Sequence, residues 1–172
     1  DVLKHAKGMD ALKNCPLFAS LNEKKRNTIV DTMTFKTFGK GEILCKQGDA
    51  ADAMYLIMVG GCGVVIGKEK AATLKEFDVF GEAALFGNDC NATVQVISQH
   101  LEVLMLSHED LQFLVHSKTL DKQCMEEFRK MSAQREEEGQ SMKKLDWRDH
   151  VRLQNLDDEI VIIESDDEEE KR

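Results

Sequence analysis

The residues best placed to do chemistry surround Glu82. The run Gly81-Glu82-Ala83-Ala84 reads as the opening of a short helix. Such an opening presents unpaired backbone N–H groups and a positive end to an anion. Glycine at 81 would let a ligand approach the backbone closely, and Glu82 adds a carboxylate acceptor. After a short loop come Cys90, Asn91 and Ala92, none of them cationic. Elsewhere the chain holds no catalytic constellation. Its five histidines are scattered. His108 and His116 fall on an amphipathic stretch and have no partnered nucleophile or metal set beside them. The five cysteines lie far apart, at 15, 45, 62, 90 and 124, without a C-x-x-C. That spacing encodes neither a zinc site nor a thioredoxin motif. The expectation is therefore a binding module, not an enzyme, with no metal and no cofactor.

The elements that must position these residues change character along the chain. Residues 1–33 form a helical segment. Leu3, Ala6 and Met9 keep helical spacing, and Asn14-Cys15-Pro16 is a stop, because the residue before proline avoids the helical region. Ser20-x-x-Glu23 is a candidate capping box for the next helix, with Asn22 a rival cap. From residue 34 to 106 the pattern turns to short strands: Glu42–Lys46, Met54–Val59, Val64–Ile66, Val94–Ile97 and Leu101–Leu106, punctuated by glycines. Gly60–Gly63 lacks G-x-G-x-x-G and reads as a hairpin turn, not a dinucleotide loop. Helices return over 107–135, opened by Ser107-x-x-Asp110 and continued by a stripe of Leu120, Cys124, Phe128 and Met131. Residues 136–172 are a charged tail. The fold class is α+β: a β-roll or jelly-roll barrel of about eight short strands, flanked by N-terminal and C-terminal helices.

Composition narrows the setting. Formal net charge is −9, much of it at the C-terminus, which argues against binding to a nucleic-acid backbone. No apolar run approaches the roughly 20 residues a membrane helix needs. An odd cysteine count without a secretory leader reads as reduced thiols in an intracellular protein, cytoplasmic or nuclear. The start at Asp1 rather than Met reads as a piece of a longer protein.

The segment Phe80-Gly81-Glu82-Ala83-Ala84-Leu85 with Ala92-Thr93-Val94 resembles the phosphate-binding cassette of cyclic-nucleotide-binding domains, F-G-E-x-A-L followed by P-R-A-A-T-V. Leu17-Phe18-x-x-Leu21 resembles that family's L-F-x-x-L. Gly41-Glu42-Ile43-Leu44 with Lys46-Gln47-Gly48-Asp49 resembles its G-E-x-I-x-x-Q-G-D hairpin, and Met54-Tyr55-Leu56-Ile57 with Gly60 its next strand. Glu126-Glu127-Phe128 is similar to the helix after the barrel in protein kinase A regulatory subunits. The resemblance spans roughly residues 10–135. It is closer to kinase regulatory domains than to bacterial transcription regulators, since no basic helix-turn-helix follows.

The resemblance implies ligand-binding roles for Gly81, Glu82, Ala83, Ala84, Cys90, Asn91 and Ala92, with Glu82 reading ribose hydroxyls. The cassette arginine is absent. Its slot falls on Cys90 with one residue deleted from the loop, or on Asn91 by an ungapped count. Neither can supply the charge-assisted, bidentate grip of a guanidinium on phosphate. The implied function is a regulatory sensor that binds cAMP or cGMP weakly, or a purine nucleoside, and relays this through the C-terminal helices to an effector domain or regulatory partner. The alternative is a degenerate domain that binds no nucleotide and serves as a protein scaffold.

Two features of the tail carry expectations of their own. Trp147 is the sole tryptophan; it is either a lid over the base, as in some family members, or a packing residue. Ile160, Val161, Ile162 and Ile163, set among acids, resemble a SUMO-interacting motif, which adds a strand to a sheet edge. The other reading is a strand that pairs within this protein. Ser165 before acids resembles an acidophilic-kinase site.

Overall fold

A computed structural model describes residues 2–144 of the chain, with side chains through residue 138. Helix α1 covers Val2–Asn14 and stops just ahead of Pro16, as the sequence requires. Helix α2 covers Glu23–Thr32. Of its two candidate caps the structure uses Asn22, whose side chain accepts from the Lys25 N–H at 2.9 Å; Ser20 does not cap. The two helices press closely at Gly8, where an added Cβ would stand 2.9 Å from Val30 Cγ1.

Eight strands follow: β1 Thr34–Gly39, β2 Ile43–Cys45, β3 Ala53–Val59, β4 Cys62–Ile66, β5 Glu69–Leu74, β6 Val79–Phe80, β7 Thr93–Val96 and β8 His100–Ser107. They make two four-stranded antiparallel sheets, ordered β1-β8-β3-β6 and β2-β7-β4-β5. This is the expected β-roll. The sequence runs did not reveal β5 and β6. Strand β5 is an edge strand, mostly half-buried and without alternation, and β6 has two residues; neither leaves a period long enough to see. Gly60–Gly61 is not a hairpin, because β3 and β4 part into different sheets. The Gly61 backbone instead bonds the β7–β8 corner, accepting from Ile97 N–H at 3.1 Å and donating to Ser98 Oγ at 3.1 Å.

Strand β8 divides the core. Its alternation sends Leu101 and Val103 into the roll interior with Ile57, Phe80 and Val96. Leu104 and Leu106 go to the other side, against Leu12, Ile29, Leu111 and Phe128. Both faces are buried, so each side chain contributes roughly 1.5–3 kcal/mol of transfer energy. Helix α3, His108–His116, begins with the expected box: Ser107 and Asp110 cap each other's backbone N–H groups. Helix α4, Lys122–Lys144, places Cys124 and Phe128 in the core, and Phe18 meets Phe128 edge-to-face at 5.4 Å. It continues past residue 135, because its Glu, Lys, Arg, Gln and Met residues are strong helix formers whatever their charge density.

Candidate functional site

The cassette segment is built from both sheets. Phe80 ends β6 and stacks on Tyr55 of β3, ring centroids 4.9 Å apart. Gly81 then reverses the chain at φ 78°. An added Cβ here would lie 2.4 Å from the Ala53 carbonyl oxygen, so the close approach of β3 by itself demands glycine. A 3-10 turn, Glu82–Phe86, follows. It is the one helical turn inside the roll among the described residues. His108 at the head of α3 meets the Ala84 carbonyl through Nδ1 at 2.8 Å and so ties the turn to the C-terminal helices. The returning loop is laced to the β2–β3 connection: Cys90 N–H donates to Asp49 O at 2.8 Å, and Cys90 O accepts from Gly48 N–H at 2.9 Å. Thr93 Oγ1 accepts from Gln47 N–H at 3.0 Å.

These segments enclose a cavity of about 240 Å³. Gly81, Glu82, Ala83, Cys90, Asn91 and Ala92 all line it. Ala84 does not; it is fully buried in the helix-side core, and its N–H closes the 3-10 turn on Gly81 O at 3.1 Å. Apolar walls come from Val64, Leu74, Phe80 and Val94. Trp147, Ile160, Val161, Ile162, Ile163 and Ser165 lie outside the described residues.

The charged wall holds a residue that sequence reasoning missed. Arg135 of α4 reaches the cavity, donating from Nη1 to Glu82 Oε2 at 2.8 Å and from Nη2 to Val79 O at 2.8 Å. Glu82 is 3% exposed, so its carboxylate is satisfied by a protein cation as well as being available to the cavity. The signal was present: the inward stripe of Phe128 and Met131 continues with helical spacing to 135, where a charged residue on a packing face calls for a partner. Among the described lining residues Arg135 is the sole Lys or Arg, set against two carboxylates, Glu82 and Glu138. Cys90 at the arginine slot is a neutral thiol, its pKa raised mainly by burial. The pocket can therefore accept hydroxyl hydrogens and stack or enclose an apolar ring, and it offers no unengaged guanidinium to a phosphate. No group of three or more His, Cys, Asp or Glu able to hold a metal occurs among the described residues. None of the described helices is long and apolar enough to cross a membrane.

Comparison with known proteins agrees with this architecture. Residues 35–118 match the family model for the cyclic nucleotide-binding domain. A cAMP-dependent protein kinase regulatory subunit of Schizosaccharomyces pombe is 38% identical over 86 residues, covering 49% of this chain and 21% of that protein. The chain thus spans about a fifth of that relative's length. Among solved structures, cAMP-bound PfPKA-R aligns with TM-score 0.72 at 18% identity, over 84% of this chain and 49% of its own. The regulatory subunit of a cAMP-independent protein kinase A from Trypanosoma cruzi, bound to guanosine, aligns with TM-score 0.63 at 21% identity, over 69% of this chain and 42% of its own.

Proposed function

Since this chain carries a domain of the cyclic nucleotide-binding family, over residues 35–118, we propose that it is a ligand-sensing regulatory module whose cavity takes a purine nucleoside, or a cyclic nucleotide held weakly through its phosphate. The observation that carries this reading is the pairing of a retained, buried Glu82 with a neutral Cys90–Asn91 stretch in one cavity wall. Glu82 accepts ribose hydroxyls. A phosphate would enter beside two carboxylates with one engaged arginine to offset them, at a desolvation cost without a matching charge. A structural neighbour that holds guanosine, a nucleoside without phosphate, supports the same choice of ligand.

Arg135 supplies the relay. A ribose hydroxyl at Glu82 competes with, or joins, the guanidinium there, so occupancy is felt directly by α4 and by whatever effector or regulatory partner follows it. Calorimetric titration against cAMP, cGMP, adenosine, guanosine and inosine tests the binding. Nucleosides should bind with affinity equal to or greater than their cyclic phosphates, and hydrogen exchange in α4 should change on binding. Absence of heat with all five ligands would sink the sensor reading.

A second reading, the non-binding scaffold, is favoured by one observation: the Arg135 pair already satisfies Glu82, so the carboxylate has a structural purpose in an empty cavity. For that reading the partner surface includes the tail. Ile160–Ile163 among acids has the composition of a SUMO-docking strand, and Trp147 that of a lid or packing residue. NMR titration with SUMO should shift residues 160–163, and Val161→Ala with Ile162→Ala should abolish the shift. A drop in melting temperature without any SUMO response would assign the strand to internal packing.

A further inference from the structure

We propose that Cys45 and Cys90 are a redox-modification site, closing to a disulfide in the cavity wall when a hydroperoxide reaches the cavity. Three independent features bring the pair together. Cys45 ends β2, opposite Val94 of β7, while Cys90 lies four residues before Val94 and is clamped to Gly48 and Asp49, just beyond Cys45, by both of its backbone groups. The two residues belong to one packed cluster in the roll interior. Beside the cassette cavity lies a second one of about 240 Å³, lined by Asp49, Asp52 and Tyr55 among others; Cys45 and Cys90 are the two residues that line both. The two cysteines thus stand between the cavities.

The remaining cysteines are placed differently. Cys15 and Cys124 are in the helix-side core, and Cys62 is fully buried on β4; none of them lines either cavity. Burial raises the pKa of all five, so none is a ready thiolate at neutral pH. Within the pair, burial raises the Cys45 thiol further than the Cys90 thiol, so Cys90 is the one that ionises first.

The chemistry balances with hydrogen peroxide as the oxidant. Cys90 loses its proton to solvent, and its thiolate attacks one peroxide oxygen. The O–O bond breaks, Cys90 becomes a sulfenic acid, and the departing hydroxide takes a proton to leave as water. Cys45 then gives up its proton and attacks the Cys90 sulfur. The S–O bond breaks and a second water leaves. Two thiols have lost two electrons and hydrogen peroxide has gained them. Because both thiols are protonated at rest, the site should respond to sustained oxidant, not to a brief pulse.

The test uses the whole chain exposed to hydrogen peroxide, then denatured, alkylated and mapped by mass spectrometry. The reduced protein should take five labels, one for each cysteine. The oxidised protein should lose the labels at Cys45 and Cys90 and yield one cross-linked peptide joining them, with dithiothreitol restoring both. In the Cys45→Ser protein, Cys90 should stop at a sulfenic acid trapped by dimedone. In Cys90→Ser no sulfenic acid should form at Cys45. A linkage of Cys45 to Cys62, or of Cys15 to Cys124, would overturn the assignment. So would retention of all five labels at a peroxide dose that fully oxidises glutathione. The cross-link map of the unmutated protein decides the matter even where a serine variant folds poorly.

Discussion

At Glu82 the cavity wall is charged, buried and braced by a side chain from another element; at Cys90 and Asn91 it is neutral and braced through its backbone. Glu82 is held by Arg135, which is itself anchored to Val79 O. Cys90 is held by the β2–β3 connection, through main-chain bonds that any residue could make. The difference teaches where selectivity would reside under the function proposed above. There the Glu82 stretch would discriminate a hydroxyl-bearing ligand, because a buried carboxylate rewards each donor it meets. The Cys90 stretch lacks the charge that makes a phosphate worth desolvating.

The largest effect should come from removing the charged member. Glu82→Ala should lower affinity for the bound nucleoside or nucleotide by at least about a hundredfold, equivalent to roughly 3 kcal/mol, since ribose hydroxyls lose a charged acceptor. Calorimetry measures it, and a parallel fall in melting temperature should report the stranded Arg135 guanidinium. Unchanged affinity would mean that Glu82 serves Arg135 alone. The next effect comes from restoring charge at the neutral stretch. Cys90→Arg should raise affinity for cAMP and cGMP by about ten- to a hundredfold, or 1.5–3 kcal/mol, and leave nucleosides unaffected. If Asn91→Arg gains this instead, the ungapped alignment is the right one.

Smaller effects sharpen the link from the cavity to α4. Arg135→Ala should destabilise the domain by about 1–2 kcal/mol, as Glu82 and Val79 O lose a charged donor in a partly exposed pair. Hydrogen exchange should quicken in α4 beyond Phe128, while Phe128 itself stays anchored. The smallest effect lies at the start of α4. Asp121 accepts from Cys124 N–H at 2.9 Å, and Lys25 Nζ approaches its other oxygen at 3.4 Å. The Cys124 N–H, more than Lys25, holds its pKa below the ordinary 3.8. A depressed carboxylate pKa contributes stability that is complete above the unfolded value and lost as pH falls through the folded one. Asp121→Ala should therefore cost about 0.5–1 kcal/mol near neutral pH, the low end for a cap, and nothing once the medium is acidic enough to protonate the folded carboxyl. Urea melts at the two pH values measure the difference.

Much of the architecture was legible because its signals are local. Pro16 ended α1 through the restriction on its neighbour, Ser107 and Asp110 announced α3, and the apolar run Leu101–Leu106 marked β8. The cassette was legible as a contiguous string, and with it the missing arginine. Other features depended on residues far apart in sequence. Strand β5 exists because β4 offers it an edge, and nothing in Glu69–Leu74 alone demands it. Glycine at 81 read as room for a ligand; the structure adds a second demand on it, room for the Ala53 carbonyl. By itself, then, the sequence determined the roll, its flanking helices, the cassette turn and the absence of a cationic residue at 90–92, since each follows from short-range pattern or residue type. The tertiary structure alone decided that Arg135 occupies Glu82 and that Cys45 and Cys90 share a cavity wall. Charge pairing and shared walls depend on distances between segments that are brought together by packing, and spacing along the chain does not encode those distances.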